Sequence, residues 1–527
     1  MISLFSFVDV LGKKETGNLY PYLVFLLVVI LFIVLFPNLK TVLWRPNKGN
    51  VSGAIDEFPG PLKLPFLGNS YVWPLFHPSK EILGWTRAAV KKWGPVFRMW
   101  NFSRPYIFIS SSDLAIKLLR EGLVDDKFEY LKNVSVAING VGLVALDSEV
   151  HPKHRKLWNP FFNLKRIENS IGYMHSEGLK LLETLESLAG ENSTSCRSQV
   201  FDLLPYVAHC TFDIACRICF GVDLNEAVSR DCLHQYCSDL HTISVNITER
   251  VFRPWLRSDW IYYKTTEGRK TKQCAERGAN LIKKVIEFKR ETRKCTDHKH
   301  QIANTCFLDR MLDLHEQGVL TDTQLLGELN VFVSAGSDTS GIVICIVIFY
   351  LSLHPEHQEK IVQELQEVLG SDFGNSSCPF TWDILKQFKY LELCIKECLR
   401  LFPLVPILPR RSTENIKLED GRVIPRGVDV FINVDVIHRD PKYFPDPNIF
   451  RPERHSEGPI PAFMPFSIGN RNCVGQVYGM VTVKTIVAQL LMAYNWETTQ
   501  REEDLQILYQ TLQVPESVKC KIRKRLV

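Results

Sequence analysis

Long tracts of one charge, periodic repeats and dense cysteine are all missing from this chain. Its 63 basic and 58 acidic residues interleave, leaving a net charge of +5 with no basic cluster. Nucleic-acid binding needs such a cluster, so no nucleic-acid partner is expected. No segment recurs at a fixed period, which excludes solenoids and propellers. Fifteen cysteines in 527 residues are too few for a disulfide scaffold and odd in number; most are expected as free thiols in a reducing compartment. Cys216 and Cys219 have zinc-ligand spacing, but they lie in the apolar run Phe212–Phe220 without a second pair and read as core helix. No flavin or nicotinamide fingerprint is present, so electrons for any redox reaction come from outside. What remains, 45% hydrophobic and 23% charged residues, is the make-up of a packed globular protein.

From Thr16 to Leu39 no residue is charged, and Leu19–Phe36 is almost wholly Leu, Val, Ile, Phe and Tyr, long enough to cross a bilayer as a helix. Lys40, Arg45 and Lys48 follow it before the first acid, Asp56, which places the bulk of the chain on the cytosolic side. The run is too long for the apolar part of a signal peptide, and no small-residue cleavage site follows. The expected organisation is a lumenal segment 1–18, a transmembrane anchor 19–39, a linker and proline-rich hinge 40–61 ending in Phe58-Pro59-Gly60-Pro61, and a catalytic domain 62–527. Without an Arg-rich amphipathic presequence, a single pass of the endoplasmic reticulum membrane is expected over the mitochondrion.

Within the body, Val96–Arg98 and Tyr106–Ser110 predict a hairpin, and helical spacing then dominates to Leu401. Gly421–Val434 and Leu505–Ile522 carry strand patterns, so the fold class is mainly α with small β-sheets. Glu291–Asn304 has no apolar stripe and reads as a mobile surface loop. Leu329–Leu353 holds one charge, Asp338, amid Ser334, Gly336, Ser337, Thr339, Ser340 and Gly341. A buried central helix with a local kink is expected there, because an intramembrane carboxylate is costly.

Phe466-Ser467-Ile468-Gly469-Asn470-Arg471-Asn472-Cys473-Val474-Gly475 precedes a helix with Met480, Val483, Val487, Leu490, Leu491 and Tyr494 on one face. A cysteine at a helix start meets unpaired amides and positive field, which favour thiolate, and Gly469 and Gly475 permit a tight turn against a flat ligand. Alone, this cysteine could be a redox sensor or a nucleophile, but a buried, inert thiol is the better reading.

The loop matches every defined position of FxxGxRxCxG, and the chain thereby resembles the cytochrome P450 family, most closely its animal family 4 branch. Glu397 and Arg400 supply ExxR, Ala335–Ser340 matches the oxygen-binding helix, and Phe450-Arg451-Pro452-Glu453-Arg454 stands between them and the cysteine. The resemblance spans Phe58 to the end. It implies a P450 fold behind the N-terminal transmembrane helix and haem b held by Cys473 as axial iron ligand, with Phe466, Gly469 and Gly475 shaping the loop. It implies propionate contacts from Arg155, Arg410 and Arg471, a buried folding triad Glu397–Arg400–Arg454, and proton supply by Asp338 and Thr339 with water. Intact Asp338-Thr339 favours monooxygenation over the isomerising, peroxide-rearranging relatives; a non-enzymatic haem protein is the other alternative. The tryptophan usual four residues before Arg155 is His151, which makes that contact pH-sensitive. Many family 4 members esterify haem through a glutamate whose place is taken by Ala335, so the haem is expected to be non-covalent apart from the thiolate–iron bond.

By the same resemblance, oxygen from O2 is inserted into a lipophilic substrate: fatty acid, sterol-like or xenobiotic. Electrons would come from NADPH-cytochrome P450 reductase, with cytochrome b5 as a second donor, docking on Lys153, Arg155, Lys156, Lys165 and Arg166. Val251–Leu256 with Trp260, Ile261, Tyr262 and Tyr263 resembles an aromatic segment of family 4 and reads as core packing or as a contact with the membrane interface.

Overall fold

A computed structural model of the protein describes residues 51–525 except 66–67, 73–77, 129–141, 190–198, 222–227, 254–255, 257, 296–305 and 376–378. The expected lumenal segment, the anchor and the first part of the linker lie outside the described residues. Within the rest of that linker, Val51–Asp56 is helical. Ile55 and Phe58 are buried against the body, and the Pro59 carbonyl accepts the Arg98 amide at 2.8 Å.

Helices carry most of the fold, and six of them place the cavity described below: α1 (His151–Trp158), α2 (Leu164–Ala189), α3 (Leu204–Phe220), α4 (Asp322–Leu353), α5 (Lys389–Leu401) and α6 (Gln476–Ala493). The longest, α4, starts at a capping box: Thr321 Oγ1 accepts the Gln324 amide at 3.2 Å, and Gln324 Oε1 accepts the Thr321 amide at 2.9 Å. It ends at His354, because the proline at 355 disfavours helical geometry in the residue before it. As expected from Leu329–Leu353, α4 is the buried axis of the molecule. It is long and apolar enough to cross a membrane, yet 67% of its most apolar window is buried in protein, chiefly by α3 and α6. The expected kink does not break it; helical geometry is continuous from Asp322 to Leu353. Gly341 lets α3 approach, since a Cβ there would lie 2.8 Å from Thr211 Oγ1.

The expectation of one apolar face on α6 is corrected. Every residue from Val481 to Met492 is buried, because α2, α4, α5 and neighbouring helices surround it. A helix buried all round tolerates polar side chains only when they are bonded. Accordingly Lys484 Nζ donates to the Leu385 carbonyl at 3.0 Å and pairs with Glu392 at 2.7 Å, while Gln489 Nε2 donates to the His175 carbonyl at 3.0 Å.

The predicted hairpin is present as β1 (Val96–Asn101) and β2 (Arg104–Ile109), antiparallel with Val96 opposite Ile109. Two strands from the C-terminal half, β3 (Ile407–Arg411) and β4 (Asp429–Asn433), complete a sheet of order β1-β2-β4-β3. A second hairpin, β5 (Ile507–Gln510) and β6 (Leu512–Pro515), turns at Thr511. The strand expectations for both C-terminal regions therefore hold. The expected loop from Glu291 does not start there. Glu291–Cys295 is the last turn of helix Thr266–Cys295, whose buried face includes Leu281, Ile282, Val285 and Ile286; residues 296–304 lie outside the description.

Candidate functional site

A cavity of about 850 Å³ opens between α4, the loop 466–475 ahead of α6, strand β3 and the tip of the β5–β6 hairpin. The loop is pinned by its own backbone, with the Cys473 amide donating to the Phe466 carbonyl at 2.9 Å. Gly469 takes φ +77°, and a Cβ there would lie 1.9 Å from the Leu119 carbonyl, so only glycine fits. Gly475 has φ −88°, and a methyl would meet only ordinary contacts with Phe162 at 3.8 Å and Cys473 Sγ at 3.9 Å. The expected need for glycine on both sides of Cys473 holds at 469; in the protein alone, nothing demands it at 475.

The sulfur of Cys473 faces this cavity. Burial pushes its thiol pKa up, and the Gly475 amide and the Arg155 guanidinium pull it down without prevailing. In the protein alone the side chain is open to the cavity, and the amide and guanidinium beside it are the groups that favour its thiolate.

Arg155, Arg410 and Arg471 line the same cavity, with His151 and Lys127 beside them. Arg155 is held against the loop, donating to the Asn472 carbonyl at 2.8 Å and to its Oδ1 at 3.1 Å. Arg471 Nη2 donates to the Leu146 carbonyl at 2.6 Å, and Arg410 Nη2 to Ser467 Oγ at 3.4 Å. Arg410 Nε and Arg471 Nη1 are buried with no partner among the described residues. Burial, then repulsion from Arg471, brings the Arg410 pKa to about 10; burial brings Arg471 to about 10 although Asp125 and Asp126 oppose it. Lys127 is pushed well below the usual lysine range by burial and by Arg410 and Arg471. Its place in the cluster was not legible in the sequence, where Lys127 stands far from Arg410 and Arg471 and within no motif.

His151 is buried, and its pKa falls to about 3 through burial and the surrounding cations Arg471, Arg155, Lys127 and Arg410. In the protein alone, burial first and then the neighbouring positive side chains disfavour the protonated ring.

On α4, Ala335, Gly336 and Thr339 reach the cavity wall, whereas Asp338 does not line it. Thr339 Oγ1 donates back to the Ala335 carbonyl at 2.7 Å, a common arrangement for threonine in helices. Desolvation raises the Asp338 pKa to about 6 against a 3.3 Å hydrogen bond from Ser337, and its carboxylate acts on Tyr236 and Cys237 of helix Arg230–Phe252.

Beyond the cavity, Glu397 and Arg400 of α5 meet Arg454 as expected. Arg400 donates to both Glu397 oxygens at 2.8 and 2.9 Å, and Arg454 Nε to Oε1 at 3.0 Å. The sequence did not reveal that His455 Nε2 lies 3.0 Å from Oε2, or that the Arg451 amide donates at 2.9 Å. Lys153, Lys156 and Lys165 are exposed on and after α1. Leu256 and Tyr262 are buried and Val251 packs on the core, whereas Trp260 is 71% exposed and Ile261 is 41% exposed, so core packing accounts for the former and not for Trp260 and Ile261.

Comparison with known proteins gives one consistent match. The family model for Cytochrome P450 covers residues 58–522. Cytochrome P450 4c3 of Drosophila melanogaster is 28% identical over 96% of this chain and 95% of its own length. Cytochrome P450 4V2 of Mus musculus is 30% identical over 78% of each chain. Cytochrome P450 4B1 of Rattus norvegicus is 27% identical over 89% of this chain and 90% of its own.

Proposed function

The chain belongs to the cytochrome P450 family, monooxygenases that hold haem b through a cysteine thiolate, and we propose that Cys473 is that ligand here. One observation carries the reading. A single cavity has Cys473 on one wall and Thr339 on another, and beside them buried guanidinium groups whose Arg410 Nε and Arg471 Nη1 donors have no acceptor among the described residues. Four cations, Lys127, Arg155, Arg410 and Arg471, share this space with few acids, Asp125 the chief one raising their pKa values. Two propionates supply the missing charge and acceptors, and arginine forks suit carboxylates. Held there by the Cys473 thiolate, haem would supply heterolytic O–O cleavage and oxidation of unactivated C–H bonds.

The chain's own groups then have separable tasks. The arginines orient, and Phe466, Val474 and Met480 exclude water from the sulfur side. Thr339 reaches the cavity with a hydroxyl that must leave the Ala335 carbonyl to donate elsewhere. Asp338, with a pKa of about 6, can release and regain a proton near neutral pH. Apolar walls from Phe332, Val343, Leu404, Val405 and Leu408 suit a lipophilic substrate: fatty acid, sterol-like or foreign compound.

Electrons come from NADPH-cytochrome P450 reductase, with cytochrome b5 as a second donor, and the exposed Lys153, Lys156 and Lys165 support a docking face for an acidic partner. The apolar run Leu19–Phe36 supports a single-pass anchor in the endoplasmic reticulum, and exposed Trp260 and Ile261 support a second contact at the bilayer surface.

Thr339→Ala is expected to divert electrons from product to peroxide and water, lowering product formation by about a hundredfold, the low end for losing a positioned proton donor, with Thr339→Ser close to wild type. Parallel measurement of NADPH consumed, product and peroxide checks this; full coupling in the alanine variant removes Thr339 from the proton route. Because Ala335 offers no carboxylate for an ester, acidified organic solvent should extract all the haem. Porphyrin left on the polypeptide would contradict the non-covalent assignment.

A further inference from the structure

Glu328 lies in α4, seven residues before Ala335, with 0% exposure and no place on the cavity wall. Its Oε2 accepts the Leu143 amide at 2.9 Å, and its Oε1 lies 3.1 Å from Nδ1 of buried His154 in α1. The residue before Leu143 rests directly on the α4 backbone: a Cβ at Gly142 would lie 2.8 Å from the Gly327 carbonyl and 2.6 Å from Val331 Cγ2. Leu143 and Val144 are part of the cavity wall, and His154 is the neighbour of Arg155. One buried carboxylate therefore ties a wall segment and α1 to the helix that carries Thr339.

Burying a carboxylate is unfavourable unless each oxygen is bonded, and both of these are. Neither partner is catalytic. The Leu143 link fixes the distance of the Leu143–Val144 wall from α4, and the His154 link holds the carboxylate that makes it.

We propose that Glu328 is a substrate-positioning residue, a clasp that sets how far an apolar chain extends within the cavity. The inference rests on the reading of this cavity as the substrate chamber of a haem enzyme. It is separable from it, because the clasp can be read with no turnover.

The test uses full-length holoenzyme and a series of 1-alkylimidazoles from butyl to dodecyl, whose ring ligates haem iron while the tail probes the wall. Glu328→Leu removes both links. Glu328→Gln can restore them, its oxygen accepting the Leu143 amide and its NH2 donating to the other histidine tautomer. In Glu328→Leu, the ratio of dodecyl to butyl affinity should change by about tenfold, and amide exchange in peptides containing Leu143 should rise by about tenfold or more, both reverting in Glu328→Gln. His154→Phe breaks only the imidazole link, leaves a ring of similar size and is read the same way, so the test does not depend on Glu328→Leu folding.

An unchanged chain-length profile with unchanged exchange, in protein that keeps the thiolate-type carbon monoxide spectrum, overturns the clasp. A wild type lacking that spectrum overturns the haem-thiolate reading instead, and amide exchange alone then decides whether Glu328 holds the loop.

Discussion

Cys473→Ala, loaded with haem, is expected to show no thiolate-type Soret band in its reduced carbon monoxide complex and to lose at least about a thousandfold in turnover. That loss corresponds to about 4 kcal/mol at 1.4 kcal/mol per factor of ten. The expectation follows from position. Cys473 is the cysteine placed by a backbone-closed loop on the wall that also carries the unpartnered Arg471 and Arg410 donors. Cys219 also borders the cavity, but from within buried α3, and burial pushes its pKa up to about 12. Cys219→Ala is therefore the matched control and should keep the band. An unchanged spectrum in Cys473→Ala, or its loss in Cys219→Ala, would withdraw the ligand assignment.

Glu397→Ala should prevent recovery of folded protein. The carboxylate is fully buried and bonded by Arg400, Arg454, His455 and the Arg451 amide. Deleting it leaves two guanidinium groups buried together, at a cost of about 3–5 kcal/mol for an uncompensated buried charge. That is a large part of the roughly 5–15 kcal/mol that holds a typical protein folded. Arg400→Lys should fail nearly as badly, because lysine cannot span both Glu397 oxygens while reaching the carbonyls of His438 at 3.0 Å and Pro447 at 2.6 Å. Soluble holoprotein yield and the urea midpoint measure both effects; a midpoint within error of wild type would refute a folding role.

The same carboxylate has a pH signature. Desolvation raises its pKa, but hydrogen bonds from Arg400 and His455 and the charge of Arg400 outweigh it, holding it near 2 from an ordinary 4.5. A pKa lower in the folded than in the unfolded state adds stability above the unfolded value, lost as pH falls from about 4.5 toward 2. His455, whose pKa is lowered mainly by burial, acts in the same direction, since it resists the charge that acid imposes. Acid unfolding followed by tryptophan fluorescence should therefore begin below about pH 4.5 on account of Glu397.

Helix α4 shows how far the chain could be read in one dimension and where that stopped. Its apolar length and lone acid were visible, and burial followed, since an apolar surface of that size must be covered. The direction of each side chain was not visible: Thr339 reached the cavity and its neighbour Asp338 did not, because successive residues on a helix point about 100° apart. α6 taught the converse: its apolar stripe was read as one face, yet packing from all sides buried Lys484 and Gln489 as well.

By itself the sequence determined the family, the cysteine loop, the paired charges of α5 and the order of the elements. Those features are written in contiguous residues whose spacing and side-chain chemistry suffice. Only the tertiary structure decided that Lys127 joins Arg410 and Arg471, that His455 completes the Glu397 cluster, that His151 is buried beside those arginines and that Glu328 meets Leu143 and His154. The reason is physical: these partners come from distant parts of the chain, and the strength of each depends on water being excluded, which no local stretch of sequence records.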